Sequence, residues 1–154
     1  MFPQNTISRT ELARSTRQAI EQARRGQTIL VESYGEEQVA IVDILDYRLL
    51  RAVAAYRTQA NVPAQDINAI PQGLTEEFIQ TRQSAAGDDP QVAWDLVIAA
   101  YLDGQISFGR TAVLLKQPRF ELQARFNRLG LSLHLGPMVI AEGKAEYDAL
   151  SQDE

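Results

Sequence analysis

Ala23-Arg24-Arg25-Gly26-Gln27-Thr28-Ile29-Leu30-Val31-Glu32-Ser33-Tyr34-Gly35-Glu36-Glu37-Gln38-Val39-Ala40-Ile41-Val42 is the stretch whose reading decides the fold. Two runs rich in β-branched and aromatic residues, 28–34 and 38–42, flank a Gly35-Glu36-Glu37 turn and predict a β-hairpin. Gly26 stands where a preceding helix would end, placed for a left-handed C-terminal cap. A hairpin alone is marginal in water, so this one must lie on the helix before it and draw further strands, which a partner subunit would supply.

Upstream, from Ser8 to Arg25, Leu12, Ala19, Ile20 and Ala23 recur at helical spacing while Arg14, Arg17, Glu21 and Arg24 fall on another face. This predicts one amphipathic helix, opened by a capping box of Ser8 and Glu11. Downstream, Asp43 or Asp46 can cap a second helix from about Leu45 to Arg57, with Tyr47, Leu50, Val53, Ala54 and Tyr56 as apolar contacts.

From Thr58 to Pro90 the chain turns rich in Gln, Asn, Pro, Gly and Asp, which reads as a linker. Within it Thr75 can cap a short helix through Arg82, bearing Phe78 and Ile79. Beyond Pro90 three short helices are expected: Val92 to Leu102, ended by Asp103-Gly104; Ser107 to Leu115; and Pro118 to Leu129, ended by Gly130. Together they suggest a helix-turn-helix-like bundle. Leu131-Ser132-Leu133-His134-Leu135 alternates like a strand, and an acidic tail follows from Glu142.

The expected class is therefore α+β. A helix, hairpin, helix module over 1–57 is followed by a linker over 58–90, a helical module over 91–135 and a tail over 136–154. With 15 Lys and Arg against 20 Asp and Glu among 154 residues, the net charge of -5 leaves any nucleic-acid contact to a local patch. No cysteine and a single His remove disulfides and the usual zinc sites, and no cofactor is expected. Met1-Phe2-Pro3-Gln4-Asn5 lacks a basic flank leading into an apolar run, so no signal or transit peptide is expected. The apolar stretches are too short for a bilayer, and a cytoplasmic, non-membrane protein is the expectation.

Thr6-Ile7-Ser8-Arg9-Thr10-Glu11-Leu12-Ala13-Arg14, then 23–31 and 38–42 of the opening stretch, and finally Asp46-Tyr47 with Leu49 and Leu50 together resemble the Phd/YefM antitoxin family over about a third of the chain. The resemblance implies an α+β homodimer whose N-terminal module binds operator DNA and whose later segment neutralises a toxin. Between Val92 and Leu135, Tyr101, Asp103-Gly104-Gln105-Ile106-Ser107, Gly109, Ala112, Leu114, Glu121 and Leu129-Gly130-Leu131 loosely resemble a short helical antitoxin family often encoded beside toxins with PIN-like nuclease domains.

Ser8, Arg9, Arg14 and Arg17 are the candidate DNA contacts, since arginines near a helix start reach phosphates and a dimer would match a palindrome. The same arginines suit a solvated helix face equally well. Family members often carry a basic residue where this chain has Glu32-Ser33, and an arginine where it has Ala13. Six arginines among residues 1–50 face seven acids, so phosphate affinity would be modest and salt-dependent. Arg110, Lys116, Arg119, Arg125 and Arg128 make a second, weaker candidate reader, for which the polar surface of a bundle is the simpler account.

Phe78, Ile79, Tyr147 and Leu150, set among acids, are the candidate toxin contacts, an inert linker and tail being the plainer alternative. No catalytic constellation is expected. His134 sits in an apolar run, the pairs Glu36-Glu37, Glu76-Glu77 and Asp88-Asp89 suit turns and helix starts, and Trp94 and Tyr101 suit a core. The sequence thus reads as an interaction protein and not an enzyme. Its main rival reading is a dimeric adaptor of the same fold without DNA binding.

Overall fold

The computed structural model describes residues 4–59, 74–131 and 133. Their class is α+β, with a three-stranded sheet and seven helices among the described residues. They fall into two compact units, one of residues 1–48 with 124–132 and one of 49–123 with 133–154, so the division runs through two of the helices.

In the first unit, β1 (Gln4–Ser8) leads into α1 (Arg9–Arg14) and α2 (Thr16–Arg24), followed by β2 (Thr28–Ser33), β3 (Glu36–Ile41) and the start of α3 (Ile44–Gln59). The strand order is β1-β2-β3, with β1 parallel and β3 antiparallel to β2. The hairpin therefore gains one further strand, β1, from its own chain. Five residues with Ile7 as their one large apolar side chain carry little local strand signal, and the parallel ladder to residues 28–32 is what makes them a strand.

The expected single helix from Ser8 is two helices. Its capping box forms, with Ser8 Oγ accepting from Glu11 N at 3.1 Å and Glu11 Oε2 accepting from Ser8 N at 3.3 Å. At Ser15, however, the backbone leaves the helical region (φ -130, ψ 35), and the Thr16 hydroxyl donates to the Leu12 carbonyl at 2.7 Å. Such a bond back to the preceding turn by itself only bends a helix slightly, and the interruption lies at Ser15, whose backbone is not helical. Ala19 and Ala23 of α2 pack against Ile29 of β2, with Ile7, Leu12 and Ile41 around them. Small side chains on α2 let the helix sit close to the sheet.

The hairpin closes over Tyr34-Gly35, two residues with φ of 55 and 78, as a type I′ turn requires. Glu36 and Glu37, expected in the turn, are instead in β3, opposite Ser33 and Glu32. A bulge between Val31 and Glu32 accommodates the shift.

A buried ion cluster ties residues 125 and 128 to the start of α3. Asp43 caps α3, accepting from Leu45 N at 2.9 Å, and also accepts from Arg125 Nη1 at 2.6 Å. The same Nη1 donates to Asp46 Oδ1 at 2.7 Å, and Arg128 holds both Asp46 oxygens, from Nη2 at 2.8 Å and Nε at 3.1 Å. Asp46 is 4% exposed. Gly26 (φ 98) has the expected left-handed cap, and a Cβ there would fall on the Arg128 guanidinium. That position thus excludes a side chain on two grounds.

The second unit contains most of α3, α4 (Glu76–Ala85), α5 (Pro90–Leu102), α6 (Phe108–Leu114) and the start of α7 (Arg119–Arg128). Thr75, Asp89 and Ser107 cap α4, α5 and α6 in turn, each accepting from a backbone amide of its first turn. The helix expected from Thr75 runs three residues past Arg82 and packs on α5. Tyr101 and Phe108 meet edge-on with ring centroids 5.8 Å apart, and Val97, Ile98, Ile106 and Leu122 are fully buried with them. Leu131 and Leu133 are not in a strand. Residues 132 and 134–135 of the expected strand lie outside the described residues, as does the expected tail.

Candidate functional site

The N-terminal candidates divide between two places. Ser8 and Arg9, at the junction of β1 and α1, line an open cleft of about 590 Å³ with Thr10 and Ala13 on one side and Glu32, Ser33, Tyr34 and Gly35 on the other. Arg14 and Arg17 do not line it. Arg14 ends α1 and Arg17 follows the break at Ser15, so the three arginines are not carried by one continuous helix. Arg17 is 94% exposed and pairs loosely with Glu21 at 3.6 Å, an i,i+4 contact of little energetic weight. The Ser8 hydroxyl is occupied as the helix cap.

The cleft therefore mixes one exposed guanidinium with the Glu32 carboxylate. Just outside it Glu36 and Glu37 are exposed. Phosphate recognition gathers cations, and a site edged by carboxylates is poorly suited to it. Tyr34, at the tip, is 100% exposed.

Two of the five basic residues of the expected helix-turn-helix-like reader are committed elsewhere. Arg125 and Arg128 are spent in the buried cluster. Lys116 lies 3.6 Å from Glu76, and Arg110 Nη2 donates to the Leu74 carbonyl at 3.5 Å. Arg119 remains exposed beside Phe120, itself 85% exposed.

Of the candidate toxin contacts, Ile79 is in the core of the second unit at 5% exposed, and Phe78 is half-buried with the Arg82 guanidinium 5.3 Å from its ring. Ile79 also borders a groove of about 250 Å³ floored by Trp94, Leu114 and Leu115 and crossed at its rim by the Glu76–Lys116 pair. Tyr147 and Leu150 lie outside the described residues, as does His134. Trp94 and Tyr101 are core aromatics, at 5% and 1% exposed.

Several exposed apolar side chains on the first unit went unnoticed in the sequence. β3 is exposed from Glu36 to Ala40, with Val39 at 59%, and Ile44 and Tyr47 on the same unit are 54% and 44% exposed. The signal was there in Val39 and Ala40, but without β1 in place no reading could tell which strand would be left at the edge. Among the described residues no group of three or more His, Cys, Asp or Glu could hold a metal ion, and no helix is long and apolar enough to cross a membrane. No family model, no curated protein and no solved structure matches the chain.

Proposed function

We propose that this chain is an antitoxin of a type II toxin–antitoxin pair, a homodimeric interaction protein that neutralises a toxin by binding it and represses its own operon. The observation that carries the reading is the first unit itself. A helix-covered hairpin followed by a helix, the order on which the resemblance to Phd/YefM antitoxins rests, leaves Val39, Ile44 and Tyr47 exposed. Apolar side chains exposed on one small unit favour burial against a second copy. Neutralisation is by occlusion. The toxin, of PIN-like nuclease type by the resemblance, is held by segments beyond the first module that include Phe78, Tyr147 and Leu150, while Ile79, buried in the core, acts only by holding the helix that carries Phe78.

Operator binding falls to Ser8, Arg9, Arg14 and Arg17, presented twice by the dimer. The second reading is an adaptor of the same fold without DNA binding. It is favoured by the carboxylates that edge the Arg9 cleft and by the engagement of Arg125 and Arg128 with Asp46.

Mobility shift of upstream DNA at low and moderate salt separates the two readings. A sequence-dependent shift, weakened when Arg9 and Arg14 are both replaced by Ala, supports the repressor. No such shift at any salt leaves the adaptor. Growth under induction of the neighbouring gene tests neutralisation. Arrest without this chain and growth with it is the expected pair of results, and growth in both arms overturns the antitoxin reading.

A further inference from the structure

The open cleft at the hairpin tip is the surface whose composition is hardest to explain within one protomer. A type I′ turn closes at least cost with Asn or Gly at its first central position, where φ is positive. This chain places Tyr34 there, at φ 55, with its ring wholly in solvent. Directly behind the turn the ladder sets Glu32 opposite Glu37, a like-charge cross-strand pair of the kind that destabilises a sheet. Neither choice serves the hairpin's own stability. The ring, the cleft beside it and the carboxylates around it share one end of one unit.

We infer that this tip is a docking site for a basic protein surface, with Tyr34 as the anchor that enters a pocket on the partner and the cleft receiving a partner side chain in return. The occupant follows from charge. Glu32 at the cleft wall and Glu36 and Glu37 on the adjoining strand outnumber Arg9, so the tip favours a cationic polypeptide over a phosphate backbone, and operator contact weighs on Arg14 and Arg17, which do not line the cleft. A partner cation placed between Glu32 and Glu37 turns their repulsion into two attractions. Tyrosine is a common anchor of such interfaces because it brings a large rigid area at little entropic cost. The inference rests on the proposed antitoxin reading and adds to it a contact in the first unit, where that reading put the toxin on later segments only.

The test measures binding of the purified full-length chain to the purified product of the neighbouring gene and, separately, to a duplex of its upstream DNA. Tyr34→Asn and the double variant Glu32→Gln with Glu37→Gln are compared with wild type. Both variants are expected to melt at or above the wild-type temperature when free, since each removes a local cost. Both are expected to bind the protein partner about tenfold more weakly or worse. Any DNA binding is expected to be unchanged by Tyr34→Asn and strengthened by the Glu variant. Three results overturn the inference by itself: equal affinity of all three chains for the protein, which leaves the antitoxin reading standing; weaker DNA binding by Tyr34→Asn, which makes the tip a nucleic-acid contact; or a lower melting temperature for Tyr34→Asn, which makes the ring a packing element. If the neighbouring product binds none of the chains, the antitoxin reading fails and the inference with it.

Discussion

Asp46 receives two guanidinium groups and is buried, so its loss leaves buried positive charge short of a partner. Arg128, 18% exposed in its side chain, would lose its carboxylate partner, and Arg125, 12% exposed, would keep only Asp43. Breaking a buried pair from one side costs about 3–5 kcal/mol, and Asp46→Ala is expected to fall in that range by urea denaturation. A loss below about 1 kcal/mol would show that solvent replaces the carboxylate freely. Tyr56 gives a second prediction. Its hydroxyl donates to Asp103 Oδ1 at 2.8 Å, and that bond, with some desolvation and the nearby negative charge, raises its pKa above the ordinary 10.0. The raised value means the bond's contribution is complete below pH 10 and is lost as pH climbs through the folded-state pKa. Ultraviolet titration should find a late-ionising tyrosine that Tyr56→Phe removes and Asp103→Asn shifts downward. If Tyr56→Phe leaves the alkaline end of the titration unchanged, the hydrogen bond is not maintained in solution.

At the level of elements, short-range chemistry was legible and long-range pairing was not. The caps at Ser8 and Thr75 and the stops at Gly26 and Gly104 depend on neighbours within a few residues, and each is where the residue types put it. β1 escaped because a parallel strand is made by its ladder, here to residues 28–32. The break at Ser15 escaped because Ser-Thr is tolerated inside many helices, and no proline or glycine marks the place where the backbone leaves the helical region. Ser8 belongs both to a cap and to the candidate site, which permits a prediction with two readouts. Ser8→Ala should cost about 1 kcal/mol of stability by loss of the capping box. A DNA contact through the hydroxyl would add a loss of DNA affinity with the fold intact, and an unchanged affinity would confine Ser8 to its structural role.

For the whole molecule, the candidate site was legible as a set of residue types and not as an arrangement. Arg125 and Arg128 looked like a basic surface because their partners, Asp43 and Asp46, lie some 80 positions earlier. Glu32, noticed as a departure from the family pattern, proves to share a cleft with Arg9, which sharpens the electrostatic argument against strong phosphate binding. The apolar exposure at Val39, Ile44 and Tyr47 predicts a dimer in sedimentation of the full chain, and Val39→Asp should shift it towards monomer. An unshifted sedimentation coefficient would put the dimer contact elsewhere or remove it. The claim on which the account turns is neutralisation by direct binding, and co-purification measures it most directly. The tagged full chain, co-expressed with the neighbouring gene, is predicted to bring down that gene's product in a fixed stoichiometry that survives size exclusion. Recovery of the tagged chain alone, with the neighbouring product soluble and unbound in the flow-through, would contradict it.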